Sequence, residues 1–357
     1  MITILHAADL HLDSAFSGRS EGATGRLRAA LRSIPEQICA LCARESCDLL
    51  LLSGDVFDSA PTVESLRLLR QALTRISIPV FIAPGNHDFY TPNSPWALEK
   101  WPENVHIFTR PAVESVVLPE LDCRIYGAAF TAMDCDPLLE NFRLEGDEKY
   151  HIAVLHGDPL LQKSPYNPIT QAQVVASGLD YLALGHVHKQ GAFRAGKTLC
   201  AWPGCAMGRG YDELGEKGVL LVTVADTVST RFVPLCGPRF YDVEAEVETV
   251  PDAAIASQLP AIGNDDFYRI TLTGECETPD LSKLTAQFAQ FPNLELRDHT
   301  QPPVDLWACA GADSLEGVYF GMLKDALREQ DEESHRIILL AAKISRKILD
   351  GGEVVLP

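Results

Sequence analysis

Five short polar turns, each closing an apolar run, constrain what this chain can fold into. They are Asp9-Leu10-His11, Gly54-Asp55-Val56-Phe57-Asp58, Gly85-Asn86-His87-Asp88, His156-Gly157-Asp158 and Gly185-His186-Val187-His188. Each preceding run reads as a buried strand; the one before Gly85 carries Ile76, Ile78, Val80 and Ile82. A parallel sheet gathers the carboxyl ends of its strands along one edge, where ligands collect. The turns therefore predict carboxylates, imidazoles and an amide oxygen meeting at a common edge. Such mixed oxygen and nitrogen donors suit Mn2+, Fe or Zn2+ better than a thiolate site would. A carboxylate bridging two cations holds them ~3.5–4 Å apart, the separation used for in-line displacement at phosphorus. One Gly-Asp or Gly-Asn-His alone is weak evidence. Five in order, each after a strand, point to a pair of metal ions that hydrolyse phosphate esters.

The chain read in order supports that frame. Residues 2–7 are predicted as a strand, 14–24 as a surface loop, and 26–44 as a helix from Leu27, Leu31, Ile34, Ile38 and Leu41. Pro35 is expected only near a helix start or a kink. A strand at 48–52, a helix capped by Thr62, and a strand at 76–82 complete a β-α-β-α-β pattern, the signature of a parallel sheet with covering helices. Between residues 105 and 233 strands dominate, at 105–108, 113–118, 124–127, 150–155, 181–184, 197–201, 219–224 and 230–233, with one helix at 169–177. The expected fold is α/β: two sheets packed face to face with helices outside both. The character changes near residues 234–238. Strands at 240–247, 267–273 and 294–298 with helices at 252–259 and 281–291 predict a small α/β unit. Two helices, 314–329 and 332–349, then close the chain at Gly351-Gly352. The expected domains are 1–235, a 239–300 cap and a 304–357 helical segment.

Bulk properties narrow the function classes. A chain of 357 residues exceeds one usual core. No apolar run approaches the ~18 residues needed to span a bilayer. Asp9 and His11 interrupt the N-terminal apolar run, and no basic stretch precedes it, so a signal peptide is not expected and the cytosol is the default location. Cys39 and Cys42 form a Cys-x-x-Cys within helical periodicity, without a second ligand pair, and are read as buried helix cysteines. A disulfide framework is not expected in a reducing compartment. The formal charge of −19 repels polyanions at long range. It is concentrated in the cap, where twelve acidic residues face four basic ones between positions 239 and 300.

Asp9-x-His11, Gly54-Asp55-x-x-Asp58, Gly85-Asn86-His87-Asp88, His156-Gly157 and Gly185-His186-x-His188 together resemble the signature of the calcineurin-like metallophosphoesterases, over roughly residues 1–235. The spacing and the later α/β unit are similar to the SbcD/YhaO-type DNA-repair exonuclease subunits. So are Trp202-Pro203-Gly204 through Arg209-Gly210-Tyr211, Glu216-Lys217-Gly218 and the segment Ser314-Leu315-Glu316-Gly317-Val318-Tyr319-Phe320. The resemblance implies a four-layer αββα fold and a site with assigned roles. Asp9, His11 and His188 would hold one divalent ion; Asn86, His156 and His186 the other; Asp55 would bridge. Mn2+ is the expected ion, with Fe, Zn2+ and Mg2+ as alternatives. His87 would face the substrate and stabilise or protonate the leaving oxygen. Some relatives carry His where Asp58 stands. An aspartate cannot donate a proton at neutral pH unless its pKa is raised, so Asp58 is assigned to orienting a ligand. Arg209 is the basic residue placed at the substrate phosphate or behind a ligand. His6, His106, His151, His299 and His335 lie outside the motifs and are assigned structural or solvated roles.

The resemblance further implies DNA as substrate, an exo- or endonuclease activity in repair, an SbcC-like coiled-coil ATPase as partner and a homodimer. The two C-terminal helices carry apolar stripes, Leu315, Val318, Tyr319, Met322 and Leu323, then Ile337, Ile338, Leu340, Ala341 and Ile344. These either pack on the cap or dock the partner's coiled coil. The alternative function is a small-molecule phosphodiesterase or phosphatase with the same metals, its entry restricted by the acidic cap. An interaction subunit with vestigial metals is opposed by the complete ligand set.

Overall fold

The computed structural model describes residues 1–329 and 331–351. In chain order the first part comprises β1 (Ile2–Ala7), α1 (Glu21–Arg44), β2 (Leu49–Leu52), α2 (Val63–Thr74), β3 (Val80–Ile82), α3 (Pro95–Leu98) and β4 (Val105–Ile107). There follow β5 (Glu114–Leu118), β6 (Cys123–Gly127), β7 (Tyr150–His156), α4 (Gln171–Ser177), β8 (Tyr181–Gly185), β9 (Gly191–Ala195) and β10 (Thr198–Trp202). β11 (Gly218–Val224) and β12 (Val228–Pro234) then pair back to the first sheet. The two six-stranded sheets have orders β12-β11-β1-β2-β3-β4 and β5-β6-β7-β8-β10-β9. β1 to β4 are parallel, as are β6, β7, β8 and β10.

Period-two alternation explains the layers, because successive strand residues face opposite sides. Ile2, Ile4, Leu49, Leu51 and Phe81 of the first sheet meet Ile125, Ile152, Val154, Tyr181 and Ala183 of the second in one apolar layer. Their neighbours Leu5, Ala7, Leu50, Leu52, Val80 and Ile82 turn the other way, onto Leu27, Leu31, Ile34 and Ile38 of α1 and Leu69 and Leu73 of α2. On the far side Ala153, Leu155, Leu182 and Leu184 cover Val174 of α4. The result is the expected helix–sheet–sheet–helix order, with the central strands buried on both faces.

Three local readings are corrected by packing. α1 begins at Glu21, inside the expected loop, because the Ser20 hydroxyl accepts from the Ala23 N–H and Ala23 shares the buried stripe of Leu27. Pro35 sits in the interior of α1, buried. The hydrogen bond it forfeits is outweighed there by the burial of Leu31, Ile34 and Ile38 on the same face. The predicted 76–82 strand shrinks to β3. Pro79 has no N–H to donate, and the carbonyls of Ile76 and Ile78 accept instead from the Asn104 side chain, at 3.0 and 2.8 Å. β9 was not anticipated; it forms the sheet edge, antiparallel to β10.

By packing, the chain divides into two compact units: Met1–Val243 with Ile262–Arg269 and Phe288–Glu295, and Glu244–Ala261 with Ile270–Gln287 and the residues from Leu296 onward. A three-stranded sheet joins β13 (Phe240–Val247), β14 (Phe267–Gly274) and β15 (Leu294–Asp298), with α5 (Pro251–Gln258) and α6 (Leu281–Gln287) between them in sequence. In the second unit, α7 (Leu315–Ala326) and α8 (Glu332–Leu349) bury Phe320 and Ala342 together with Leu306. Leu315, Val318, Tyr319 and Met322 of α7 and Ile337 and Leu340 of α8 remain exposed. Gly351 follows α8 in the left-handed region, as a helix stop requires, and Gly352 lies outside the described residues. The ten cysteines are free, and Cys39 and Cys42 are buried on α1. Among the described residues no helix is long and apolar enough to cross a membrane.

Leu31 is 1% exposed where α1 meets the first sheet. Leu31→Ala is expected to cost about 2–5 kcal/mol of unfolding free energy. Urea denaturation checks this through a lower midpoint at an unchanged slope.

Candidate metal centre

The strand ends are locked to one another before any side chain is considered. Beyond β1 and β2 the chains keep pairing: the Asp9 N–H donates to Gly54 O (3.1 Å), His11 N–H to Asp55 O (2.9 Å), Leu12 N–H to Val56 O (2.9 Å) and Asp58 N–H to Leu12 O (3.0 Å). Asp9, His11, Asp55 and His186 adopt left-handed backbone, with φ of 49°, 45°, 49° and 98°. Such conformations are costly for residues with a Cβ and persist where surrounding contacts over-determine them. One such contact is Asp88. Its buried carboxylate accepts from Gly85 N–H (2.8 Å) in its own turn and from Val56 N–H (2.8 Å) and Phe57 N–H (3.2 Å) in the neighbouring one. Gly85 has no room for a side chain: a Cβ there would stand 2.3 Å from Asp55 Oδ1 and 2.7 Å from the Asp55 backbone nitrogen.

The side chains converge accordingly. His11 Nε2 and His188 Nε2 face each other at 3.0 Å. His11 Nδ1 donates to Asp58 Oδ1 (2.9 Å), and His188 Nδ1 donates to Glu213 Oε1 (2.7 Å). On the other side, His156 Nδ1 donates to the Ser53 carbonyl (2.9 Å), which turns Nε2 toward Asn86 Oδ1 (2.9 Å) and Asp55 Oδ2 (3.4 Å). Asn86 Oδ1 also lies 3.3 Å from His186 Nδ1. Asp55 Oδ2 stands between the two halves, 3.8 Å from His11 Nε2. Asp9 accepts from the His186 backbone N–H at 3.0 Å. Among the described residues three groups offer ligand atoms within 4.8 Å of one another: Asp9, His11 and His188; Asp9, Asp55 and His156; and His11, Asp58 and His87. The donor set fits divalent cations, since lone pairs meet lone pairs with few protons between them. His87 lies at the rim, its side chain 40% exposed, with Nδ1 donating to the Asp58 carbonyl (2.9 Å).

The electrostatics report the same crowding of acceptors. Burial opposes charging of His156, yet Asp55 and Asp9 beside it lift its pKa to about 9. Burial and the neighbouring His156 push His186 down to about 4. Burial also works against ionisation of Asp55, but His156, His11 and the His87 N–H outweigh it and hold the carboxyl well below its ordinary range. A proton and a metal ion compete for the same nitrogen lone pairs.

Nine of the ten sequence-assigned residues, Asp9, His11, Asp55, Asp58, Asn86, His87, His156, His186 and His188, therefore occupy one centre. Arg209 joins them from behind. Its guanidinium is turned onto Glu213 Oε1 (2.6 Å) and Asp58 Oδ1 (3.0 Å), inward and 21% exposed. His6 is buried between the Tyr181 hydroxyl (2.7 Å) and the Ser53 hydroxyl (2.6 Å), and His151 beside the Tyr126 hydroxyl (3.0 Å). Sequence reasoning missed Glu213, Asp88 as a clamp, and the Ser53 carbonyl. Only the distance of four residues between Arg209 and Glu213 offered a hint of the first.

A model of the calcineurin-like phosphoesterase family matches residues 2–190, and the chain belongs to that family. It is accordingly a metallophosphoesterase, a hydrolase. It is 35% identical over 292 residues to the metallophosphoesterase YhaO of Bacillus subtilis (strain 168), covering 76% of this chain and 69% of that relative. It is 26% identical over 211 residues to the DNA double-strand break repair protein Mre11 of Saccharolobus solfataricus, covering 53% of this chain and 50% of that protein. Among solved structures it is similar to a dimetal phosphatase from Danio rerio, at a TM-score of 0.42 and 10% identity, over 65% of this chain and 96% of that one.

Gly85→Ala is expected to displace Asp55 and lower metal-dependent phosphoesterase turnover more than tenfold, with the far-ultraviolet circular dichroism unchanged. Assay with bis-p-nitrophenyl phosphate checks it, and full turnover would show that the turn yields freely.

Proposed function

We propose that this protein is a two-cation phosphodiesterase that cuts DNA as an exo- or endonuclease in repair, with Mn2+ as its working ion and an SbcC-like coiled-coil ATPase as its partner. One observation carries the chemistry: the facing Nε2 atoms of His11 and His188, 3.0 Å apart, while each ring's other nitrogen is committed to a carboxylate. Only a proton or a cation relieves that opposition, and Asp9 beside it completes a metal set. In this reading Asp9, His11 and His188 would hold one ion, Asn86, His156 and His186 the other, and Asp55 would serve both. Two such ions, when bound, would supply charge neutralisation at phosphate oxygens and an activated water for in-line attack. The protein's own part is to hold the donors rigid, through the strained strand ends and the Asp88 clamp, and to manage protons. His87 keeps its Nδ1 proton on the Asp58 carbonyl, which leaves Nε2, at the open rim, to exchange a proton with the leaving oxygen.

DNA as substrate is supported by the name of the Saccharolobus relative, which shares half its length with this chain. The charge of −19 opposes unaided DNA binding. We therefore assign the basic surface to the partner, and the exposed apolar residues of α7 and α8 to its docking in a helix-in-groove manner. Cleavage of linear duplex DNA with defined ends, against bis-p-nitrophenyl phosphate, with Mn2+ and with and without the ATPase, tests the proposal. Turnover of the small ester alone under all conditions would move the assignment to a small-molecule phosphodiesterase.

Asp55→Asn and His186→Ala are each expected to lower Mn2+-dependent turnover at least 100-fold while the fold persists; full activity in both would reject the two-ion reading. His87→Ala is expected to bind both ions and lose about 10²–10⁴-fold in turnover. If calorimetry instead shows one ion lost, His87 is a ligand.

A further inference from the structure

Behind His188 lies a buried charge cluster that the two-cation reading does not itself require. Glu213 Oε1 accepts from His188 Nδ1 (2.7 Å) and from Arg209 Nη2 (2.6 Å), and its Oε2 accepts from the Arg209 backbone N–H (2.8 Å). The Glu213 side chain is 3% exposed. Arg209 Nη1 reaches on to Asp58 Oδ1 (3.0 Å), the oxygen that accepts from His11 Nδ1 (2.9 Å). One guanidinium thus ties together the two carboxylates that hold the two facing imidazoles. Arg209 Nη2 also lies 3.1 Å from His188 Nδ1. Arginine has no acceptor, so a hydrogen bond there would need Nδ1 bare; the shorter contact to the acceptor-only Glu213 places the proton on Nδ1.

We propose that Glu213 is a positioning residue of the metal centre: clamped by Arg209, it holds His188 as the Nδ1–H tautomer and aims Nε2 at the ion shared with His11 and Asp9. A carboxylate behind a ligating imidazole fixes ring and tautomer and raises the basicity of the ligating nitrogen. Without Glu213 the ring is free to place its proton on Nε2 or to rotate, and the ligand is lost without losing the residue. The arginine makes the effect specific to this half of the centre. Its two partners, Asp58 and Glu213, serve His11 and His188, whereas His156 is held by a backbone carbonyl. The inference rests on the metal reading given under Proposed function.

The test is Mn2+ titration of the full chain, wild type against Glu213→Ala and Glu213→Gln, by calorimetry and by the electron paramagnetic resonance signal of free Mn2+. Two ions in the wild type, with one weakened 10–100-fold in Glu213→Ala, the other within threefold, and a smaller loss in Glu213→Gln, which keeps an acceptor oxygen, is the expected result. Nitrogen-15 correlation spectra of the ion-free protein, with the ring neutral, are expected to show His188 leave the Nδ1–H tautomer in Glu213→Ala alone. Unchanged affinities with an unchanged tautomer overturn the proposal and leave the metal reading standing. Equal loss of both ions also overturns it, because Glu213 then supports the fold rather than one ligand. A wild type that binds no Mn2+ refutes the metal reading itself.

Discussion

Acceptor facing acceptor is the condition to which this centre is fitted. Nε2 of His11 and of His188 meet at 3.0 Å, and Nε2 of His156 meets the oxygens of Asn86 and Asp55 at 2.9 and 3.4 Å. Left without a positive charge, such contacts are repulsive, and burial strengthens the repulsion because little water screens it. The rise of His156 to about 9 is the same physics seen through a proton. The same centre holds His186 down to about 4, so the pull for positive charge is local to the carboxylates of Asp55 and Asp9 beside His156.

Holding such groups together needs a scaffold stiffer than the repulsion. The sandwich supplies it by burying β1, β2, β7 and β8 on both faces, so their carboxyl ends cannot splay apart. The turns then stay hydrogen-bonded past the strands, and Asp88 pins two of them to each other. Left-handed backbone at Asp9, His11, Asp55 and His186 is the local cost of that arrangement. Strain placed at candidate donors and offset by a large core is the usual trade at functional sites, and here both terms can be traced to named residues.

The charge of the chain bears on which substrates can approach the centre unaided. The centre needs its carboxylates, yet a net −19 over the chain does not help a polyanion to approach. Under the proposed function, a partner seated on the exposed apolar residues of α7 and α8 would bring its own surface charge. Catalytic metals on one protein and a basic surface on another would make cleavage depend on assembly.

Much of this was legible in the residue order. Apolar, β-branched runs predict most strands, because burial on both faces leaves a continuous apolar pattern; the polar turns name the candidate donors, because five of them in order close such runs. What failed did so where local signals are overruled: small polar residues before Ala23 hid the start of α1, and Pro79 shortened β3. The proton positions lay beyond sequence altogether. Asp58 was readable as a residue that orients a ligand, but not which ring it serves: His11 meets it across 47 residues, and His188 meets Glu213 across 25. The sequence by itself determined which side chains offer lone pairs to a cation and that they stand at strand ends; the common edge expected for them proved to be the ends of two sheets, β1, β2 and β3 in one and β7 and β8 in the other. Only the tertiary structure decided which nitrogen of each ring keeps its proton, because a tautomer is set by whatever lies within hydrogen-bond reach in space, not by neighbours along the chain.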